Sequence, residues 1–431
     1  MAHPQHVPRD LLLALFREAV RVAHPATCVP PHLPKLAAGE GLLVLGAGKA
    51  DAAMAVAVEA HYEALGQLDQ LSGFVTTRYG FELPTHLIKI VVASHPVPDA
   101  ASEAAAQRAL YLARRALPDS KILVLMSGGA SALWSAPVDG VTMEEKQALT
   151  KLLLRSGAPI GDMNTVRRHL SRIKGGRLAQ AAGHTQLITL AISDVPRDEP
   201  QAIGSGPTVA DPTTLDDARA VLAKYGIVPP DTIAQALSDP RNETLKPGAR
   251  ALRNTRFEIV ARPQASLDAA SNLARNTGYR PMLLGDSLEG EARVVGRAHA
   301  ILALKARQRG ERVAILSGGE FTVTVTGNGA GGPNQEYALG LALGLEGAPG
   351  ITALAADTDG IDGGSGAASD PAGAIVVPDT LARARLCHMD AGDMLRNNDS
   401  TAFFRNLGDL VECGPTQTNV NDFRVILVDP D

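Results

Sequence analysis

Short apolar runs that each end in a glycine-rich turn recur along this chain, and they constrain its fold more than any other feature. The run Lys121–Met126 leads into Ser127-Gly128-Gly129, and the run Leu42–Leu45 leads into a Gly-Ala-Gly-Lys turn. Uninterrupted apolar runs of this length are typical of strands buried on both faces of a parallel sheet. We therefore expect an α/β protein whose strands present their turns at one edge of a sheet.

The length of the chain predicts two or three domains. It has 431 residues and is 45% hydrophobic, which is enough for more than one core. A helical stretch interrupted by Pro229, Pro230 and Pro240 precedes a new α/β pattern that starts at Arg256. We therefore predict an N-terminal domain over residues 1–245 and a C-terminal domain over residues 246–431.

Several elements are predicted from local signals. Asp10 is a plausible N-cap for a first helix that ends near Ala23. Thr142 and Glu145 form the capping-box pattern at the start of a helix that runs to Ser156. The alternating segment Phe321–Thr326 has the period of a half-buried strand.

Residues 165–182 are predicted to form one helix with a basic side. That helix would place Arg168, Arg172 and Lys174 along one flank, as a counterpart to a charged phosphate. A solvated basic face would produce the same pattern, so the charges alone do not decide between the two.

Composition excludes several classes of protein. The net charge of −5 and the aromatic content of 3% argue against a nucleic-acid surface and against base stacking. The three cysteines are widely spaced and form neither a disulfide framework nor a metal knuckle, which fits a reducing compartment. With no signal-peptide pattern and no apolar run of membrane-spanning length, we expect a cytoplasmic protein that binds neither membrane nor nucleic acid.

The turn at residues 46–50 differs from the common phosphate-binding motifs. It is not a P-loop, because neither Ser nor Thr follows Lys49. It is not a dinucleotide fingerprint, because Asp51 stands at the third glycine position and no acid follows the next strand, which weighs against an NAD-dependent dehydrogenase. A lysine at a helix N-terminus opposes the helix dipole, which favours a role for Lys49 in binding phosphate or carboxylate over a solvated side chain.

Further polar groups follow other predicted strands. Ser127-Gly128-Gly129 and Ser131 would suit an anion or present a nucleophilic serine, although the pattern is not the GxSxG of hydrolases. His95 either contacts substrate or bonds within its own proline-rich loop.

Aspartates also follow predicted strands. Asp357, Asp359 and Asp362 follow the run Ile351–Ala356. Asp194 follows another strand and is either a Mg²⁺ ligand or a turn aspartate.

With these motifs assembled, the chain resembles the class II glycerate kinases, the glycerate 2-kinase family with the MOFRL C-terminal region. The matching segments follow the family order over nearly the whole chain, and together they are specific. They are GAGKA at 46–50, SHPVPD at 94–99, SGGASAL at 127–133, NTVRRHLSRIKGGRLA at 164–179, SDVPRD at 193–198, GSGPT at 204–208, LSGGE at 316–320, GGPNQE at 331–336, DTDGIDG at 357–363, NNDS at 397–400 and TNVND at 418–422.

The resemblance implies ATP-dependent phosphorylation of D-glycerate to 2-phosphoglycerate with Mg²⁺. It implies two α/β domains, an N-terminal Rossmann-like α/β/α sandwich with a mostly parallel sheet and a C-terminal α/β domain with a mixed sheet, with the active site in the cleft between them. It also implies that Lys49 and Asp359 act at the reacting centre.

On this reading each further site residue receives a role. The residues expected to bind nucleotide phosphates are Gly46, Gly48, Ser127, Gly128, Gly129, Ser131, Ser317, Gly318 and Gly319. The residues expected to bind substrate are His95, Arg168, Arg172, Lys174 and Asn334. The expected metal ligands are Asp194 and Glu336, the latter together with Asn334.

One position departs from the family pattern. The family often has arginine before the Asn-Gln-Glu triplet, and this chain has Pro333 there, so the charge comes from elsewhere, with Arg168 and Arg172 as candidates, or the contact is lost. Two other functions stay open at this point, an NAD(P)H-dependent hydroxypyruvate reductase and a non-catalytic protein that binds a sugar acid or nucleotide. The oligomeric state is open as well, a homodimer included.

Overall fold

The computed structural model describes residues 6–430, which divide into two compact units. Residues 28–260 form one unit, and residues 6–27 join residues 261–430 in the other. This division differs from the predicted one in two respects. The change of unit falls at residue 260 rather than 245, and the first helix belongs with the C-terminal part of the chain.

The unit of residues 28–260 is built on a six-stranded sheet. Its first five strands run parallel, because β1 pairs with β2 and β4, β2 with β3, and β4 with β5. The strand order is β3-β2-β1-β4-β5-β6, and the strands are β1 (Leu42–Ala47), β2 (Leu71–Arg78), β3 (Lys89–Ala93), β4 (Lys121–Met126), β5 (Gln186–Ile192) and β6 (Thr255–Ala261). The mostly parallel N-terminal sheet is thus confirmed.

Helices cover this sheet and extend the unit beyond it. Following α1 (His6–Ala23) and α2 (Pro25–Cys28), they are α3 (Asp51–Ala64), α4 (Ala100–Arg114), α5 (Ala130–Leu133), α6 (Met143–Arg155), α7 (Ile160–His169), α8 (Arg177–Ala182), α9 (Leu215–Lys224) and α10 (Asp231–Ser238). The predicted capping box of α6 is confirmed, since Thr142 Oγ1 accepts from the Glu145 amide and Glu145 accepts from the Thr142 amide.

The predicted helix over residues 165–182 is wrong, because a loop interrupts it between the end of α7 at His169 and the start of α8 at Arg177. Gly175 and Gly176 adopt positive φ angles of 60° and 81°, which no α-helix accommodates. A Cβ at Gly175 would stand 2.6 Å from the Thr244 methyl group, so packing against a distant segment fixes this turn. Arg172 and Lys174 therefore lie in a loop, and the continuous basic side does not exist.

The second unit contains a mixed sheet, as predicted. β12 runs antiparallel to both β8 and β9, whereas β7 and β8 are parallel. The strand order is β11-β10-β9-β12-β8-β7, with β7 (Arg280–Leu283), β8 (Val313–Ser317), β9 (Ile351–Asp357), β10 (Gly373–Val376), β11 (Leu410–Val411) and β12 (Asp422–Val428). Its helices are α11 (Pro263–Asn276), α12 (Ala292–Gln308), α13 (Pro333–Leu345), α14 (Thr380–Leu386), α15 (Ala391–Arg396) and α16 (Ser400–Leu407).

The predicted strand over residues 321–326 is also wrong. Only Thr322 makes a bridge there, to Glu291, and the segment joins no sheet. Phe321 is buried, but Thr322 and Thr324 bond to Gly290 and to the Glu291 side chain. The alternation therefore reflects one buried ring beside a polar surface loop.

Helix α1 completes the core of the second unit. Leu12, Leu15 and Phe16 are buried in the cluster that contains Phe423 of β12. Arg9 forms an ion pair of 2.7 Å with Asp409. The helix ends at Ala23 as predicted but begins at His6, so Asp10 lies within it and is not its N-cap. No helix in the described part of the chain is long and apolar enough to cross a membrane.

Candidate active site

The turns after β1 and β4 interlock at the carboxyl edge of the parallel sheet. The Ser127 hydroxyl donates to Asp51 Oδ1 at 2.5 Å and accepts from the Ala50 amide at 3.0 Å. The Lys49 amide donates to the Gly128 carbonyl at 2.8 Å. These bonds hold the backbone of Lys49 against the Ser127–Gly129 turn.

The glycines of the first turn have a packing role. A Cβ at Gly48 would stand 1.9 Å from Ser127 Oγ, and one at Gly46 would stand 2.5 Å from Asp51 Oδ2. The Gly48 amide is already bonded to the Thr76 carbonyl. Because the amides of residues 48–51 are all engaged within the protein, Lys49 offers a ligand its side chain and not its backbone.

Asp51 is a buried acid that was not predicted as a site residue. In the sequence it only showed that the turn is not a dinucleotide fingerprint. Burial raises the pKa of Asp51 to about 7, although the bond from Ser127 lowers it. Its Oδ2 has no hydrogen-bond partner among residues 6–430. The available signal was the acid at the third glycine position of the motif, two residues after Lys49.

The second turn, in contrast, leaves amides open. Within residues 6–430 the backbone amides of Gly128 and Gly129 have no hydrogen-bond acceptor. Gly129 has a φ of 85°, and a Cβ there would stand 2.9 Å from His95 Cδ2 and 3.5 Å from Lys49 Cγ. The His95 imidazole and the Lys49 stem therefore lie against Gly129, next to two amides without acceptors, and such a neighbourhood suits an anion.

Lys174, Ser131 and Ser205 form a buried polar cluster nearby. Lys174 Nζ donates to Ser131 O at 2.7 Å, Ser131 Oγ at 2.9 Å and Trp134 O at 3.2 Å. The Ser131 hydroxyl also contacts the Ser205 hydroxyl at 2.9 Å. An ammonium group has three donors, so direct binding of substrate by Lys174 would require the release of one of these bonds.

The two predicted substrate-binding arginines have partners within their own unit. Arg168 is buried and forms an ion pair of 2.9 Å with Asp211. Arg172 donates to the Pro137 carbonyl at 2.8 Å and lies 3.6 Å from Asp139. Their roles in substrate binding stay predictions.

Lys146 was not predicted as a site residue. It projects from α6 into a cavity, is 6% exposed, and its Nζ lacks a hydrogen-bond partner in the described chain. The sequence does carry a signal, because Lys146 shares the buried face of an amphipathic helix with Met143, Leu149 and Leu153.

In the second unit, the first two residues of the predicted Asn-Gln-Glu triplet bind acids of the same unit. Asn334 Nδ2 donates to Asp362 Oδ1 at 3.2 Å and to Asp422 Oδ1 at 2.6 Å. The Gln335 amide and side chain both donate to Asp362. Burial raises the pKa of Asp362 to about 7 against the opposing effect of these bonds, and burial also raises the pKa of Asp422, with Arg424 acting in the opposite direction.

Asp359 lies beside this network and is 3% exposed. Its Oδ1 accepts from the Ile361 amide at 2.9 Å, and its own amide donates to Asp357 Oδ1 at 2.8 Å. Its negative charge contributes to the raised pKa of Asp422. The backbone thus fixes the Asp359 carboxylate in place, as a proton acceptor requires.

The third predicted phosphate turn, Ser317–Gly319, is partly engaged. The Gly318 amide donates to Gly285 O at 2.8 Å, and the Gly318 carbonyl accepts from Arg424 at 2.9 Å. A Cβ at Gly319 would stand 2.2 Å from the Leu288 amide nitrogen, which explains the need for glycine. Phosphate binding by this turn stays a prediction.

Two family models match the sequence. A domain of unknown function, DUF4147, matches residues 11–238, and the MOFRL family matches residues 313–422. The D-glycerate 2-kinase of Thermotoga maritima is 37% identical over 97% of this chain and 98% of its own length. The chain belongs to the class II glycerate kinase family.

The similarity extends to three dimensions. A crystal structure of glycerate kinase from Thermotoga maritima has a TM-score of 0.88 at 36% identity and covers 98% of this chain and 100% of that one. A protein of Agrobacterium vitis, named only provisionally as a hydroxypyruvate reductase, is 48% identical over 97% of this chain and 94% of its own. Names within this class II glycerate kinase family therefore disagree about the reaction.

Pro333 replaces the arginine that the class II glycerate kinases often have. It is the first residue of α13, directly after the N-cap Gly332. Proline suits that position because its fixed φ matches the helix and its missing N–H is not needed there. The substitution is therefore structurally tolerated.

The two predicted metal ligands of this family member belong to different units. Glu336 Oε1 accepts from Arg293 at 2.6 Å and Oε2 accepts from Asn398 at 3.0 Å, so each oxygen has one partner, and the role of Glu336 as a metal ligand stays a prediction. Asp194 follows β5 at the carboxyl edge of the parallel sheet and is half-buried. No group of three or more metal-ligating side chains occurs in residues 6–430.

Proposed function

We propose that this protein transfers the γ-phosphoryl group of ATP to the 2-hydroxyl of D-glycerate, giving 2-phosphoglycerate. The relation to a D-glycerate 2-kinase over nearly the full length of both chains supports this. Phosphoryl transfer depends mainly on positioning and on charge stabilisation. The groups of this protein that can bind anions are therefore the first candidates for active residues.

The observation that carries the proposal is the open turn at Gly128 and Gly129 beside Lys49 and His95. Two neighbouring amides without acceptors suit the oxygens of a phosphate chain. Lys49 would neutralise charge on the transferred group or hold the glycerate carboxylate. Its backbone amide is engaged by the bond to Gly128, so the side chain of Lys49 is the part that would contact the ligand.

Asp359 is proposed as the acceptor of the proton from the substrate hydroxyl. Its carboxylate is held by the Ile361 amide and is nearly buried, which supports a fixed orientation. The Asp359→Asn variant should therefore lose turnover while it keeps the fold, because asparagine preserves the shape and can still accept the amide bond.

Magnesium is proposed as the ion that accompanies ATP. Mg²⁺ is usually held by one or two carboxylates together with substrate phosphates and water. Asp194 fits a single ligand of this kind by its place at the sheet edge. Bound there, the ion would neutralise phosphate charge.

A hydroxypyruvate reductase is the alternative, because of the name given to the Agrobacterium vitis relative. The turn after β1 lacks the dinucleotide fingerprint, and its engaged amides at residues 48–51 leave none for a pyrophosphate. β2 ends in Thr76, Thr77 and Arg78, where a ribose-binding acid would be expected.

One experiment separates the two reactions. Purified protein is incubated with D-glycerate and MgATP without nicotinamide, while ADP release is followed and the phosphoglycerate isomer is identified by NMR. Glycerate-dependent ADP with 2-phosphoglycerate supports the kinase. No turnover, with NADPH oxidation by hydroxypyruvate in a parallel sample, would replace it with the reductase.

The role of Lys49 has a matched control on the same sheet. Lys49→Ala should lower kcat/KM for glycerate by about 100-fold or more, because one charge contact to the transition state is lost. Lys89, on β3, is exposed, so Lys89→Ala should change kcat/KM by less than about twofold. A Lys49→Ala enzyme within a few-fold of the wild type would remove Lys49 from the mechanism.

A further inference from the structure

A cavity of about 180 Å³ lies wholly within the unit of residues 28–260. Side chains of Pro96, Pro98, Met143 and Leu154 form apolar parts of its wall, and Lys146 and Arg167 give it positive charge. The cavity is close to the candidate active site, since Pro96 follows His95 and its wall also includes Ser131. A ligand here would combine an anionic end with a carbon skeleton.

Lys146 is the group in this cavity that needs a counter-ion. Its side chain is almost completely buried, and its Nζ has no hydrogen-bond partner in the described part of the protein. A buried ammonium without an acceptor is unfavourable, because it gives up hydration and receives nothing in return. The capped helix α6 nevertheless holds Lys146 in the cavity.

The neighbouring charges favour a negative ligand. Burial first, and then the positive charges of Arg167 and Arg177, lower the pKa of Lys146 to about 7, while Glu103 opposes them. Glu103 does not hydrogen-bond to Lys146. It accepts from Gln107 at 2.9 Å and lies 4.0 Å from Arg172. The positive charge of the cavity is therefore only partly neutralised by the protein's own groups.

Two other lysines line the cavity, and of these Lys151 is exposed, whereas Lys174 is buried but has acceptors for its ammonium group. Lys174 Nζ already donates to Ser131 and Trp134. Lys146 thus supplies the donor without an acceptor, and Arg167 supplies a neighbouring guanidinium.

The size of the cavity limits what can bind. Pockets for drug-sized ligands usually measure about 300–1,000 Å³, so a cavity of about 180 Å³ takes a smaller molecule and excludes a whole nucleotide. We propose that this cavity binds a small carboxylate of hydroxy-acid size, with its carboxylate on Lys146 and Arg167 and its carbon skeleton against the proline and methionine side chains. The choice of D-glycerate as the first probe rests on the proposed function.

Calorimetric titration of the full chain tests this site without turnover. D-Glycerate is titrated into the wild type, into Lys146→Met and into Lys89→Met, which removes the same charge from an exposed position of β3 outside the cavity wall. Lys146→Met should weaken binding by at least about tenfold, and Lys89→Met by less than about twofold. Inorganic phosphate, which has no carbon skeleton, should bind the wild type more weakly than D-glycerate does.

Three results would overturn the site. They are equal affinity in the wild type and Lys146→Met, an equal loss in both lysine variants, and no binding of D-glycerate by the wild type at millimolar concentrations. Urea unfolding confirms that each variant is folded. If Lys146→Met does not fold, Lys146→Gln carries the same comparison.

Steady-state kinetics on the same samples identify the source of the carboxylate. A raised KM for D-glycerate with unchanged kcat in Lys146→Met assigns the cavity to the acceptor substrate. If Lys146→Met loses calorimetric binding but keeps the KM for D-glycerate, the cavity binds a second carboxylate that acts as an effector. Either of these two results supports the site. A wild type that binds D-glycerate but releases no ADP refutes the kinase reaction and leaves the site intact.

Discussion

Lys174 and Lys146 line the same cavity, and both are buried, yet their surroundings are opposite. Lys174 has three oxygen acceptors from Ser131 and Trp134, whereas Lys146 has no hydrogen-bond partner among residues 6–430. Burial lowers the pKa of both amines. The difference teaches that burial alone does not show whether a buried amine has its hydrogen bonds satisfied within the protein, whereas the acceptors around the amine do.

The difference between Lys174 and Lys146 predicts different effects of substitution on the free energy of unfolding. Removing one partner of a satisfied buried network leaves the other partners without hydrogen bonds, which is costly. Replacing a buried charge that has no partner with an apolar group of similar shape is often neutral or stabilising. The same Lys→Met substitution should therefore have opposite effects at the two positions.

The largest effect is expected for Lys174→Met. The carbonyls of Ser131 and Trp134 would lose their donor, so the free energy of unfolding should fall by about 2–4 kcal/mol. Urea unfolding at neutral pH measures this, with the unfolding slope checked for constancy. A loss smaller than that of an exposed lysine would show that the three bonds contribute nothing net.

A smaller effect of opposite sign is expected for Lys146→Met. Methionine fills a similar volume without a charge, so the free energy of unfolding in the absence of ligand should rise by about 1–2 kcal/mol. The same urea experiment measures it beside Lys174→Met. A destabilised Lys146→Met protein would mean that Lys146 has stabilising contacts, and the contrast between the two lysines would fail.

The pH dependence of stability sharpens the contrast further. The folded pKa of Lys146 is about 7, below the value of 10.5 for an unperturbed lysine. Between these values the unfolded chain binds more protons at this site than the folded chain does. Stability from Lys146 should therefore rise with pH, by up to about 1.4 kcal/mol per pH unit. Lys146→Met should show a shallower rise between pH 7 and about 10 when unfolding is measured by urea at several pH values.

The smallest effect is expected for Lys151→Met. Lys151 is exposed on α6. Its substitution should change the free energy of unfolding by less than about 0.5 kcal/mol and leave the pH slope unchanged. A change in slope as large as that of Lys146→Met would show that the slope reports general charge and not burial.

The sequence predicted the strands buried on both faces well, because such a strand is recorded locally as an apolar run. Lys121–Met126 and Ile351–Ala356 are recovered as β4 and most of β9. The break at Gly175 and Gly176 was not predictable in this way. Its cause is Thr244, nearly seventy residues later, and no local pattern records such a partner.

The candidate site shows the same difference between features that have a local sequence signal and features that depend on distant residues. The turn at Gly128 and Gly129 could be predicted, because strand, glycine and helix follow one another in the sequence. The engagement of Glu336 by Arg293 and Asn398 could not, because both partners are distant in the chain. Lys146 was not predicted as a site residue, although its place on the apolar face of α6 indicated its burial.

The first helix of the chain has a consequence for synthesis. Residues 6–27 belong to the unit that is otherwise made of residues 261–430, and Phe16 packs with Phe423 of the last strand. Helix α1 also packs on α11, where the Ser266 hydroxyl donates to the Ala19 carbonyl, so both of its partners are synthesised after it. On the ribosome α1 emerges before the unit of residues 28–260, which can fold in the interval while the apolar side of α1 stays unpaired. The time that the ribosome needs to reach α11 and then β12 therefore sets how long this apolar side stays exposed.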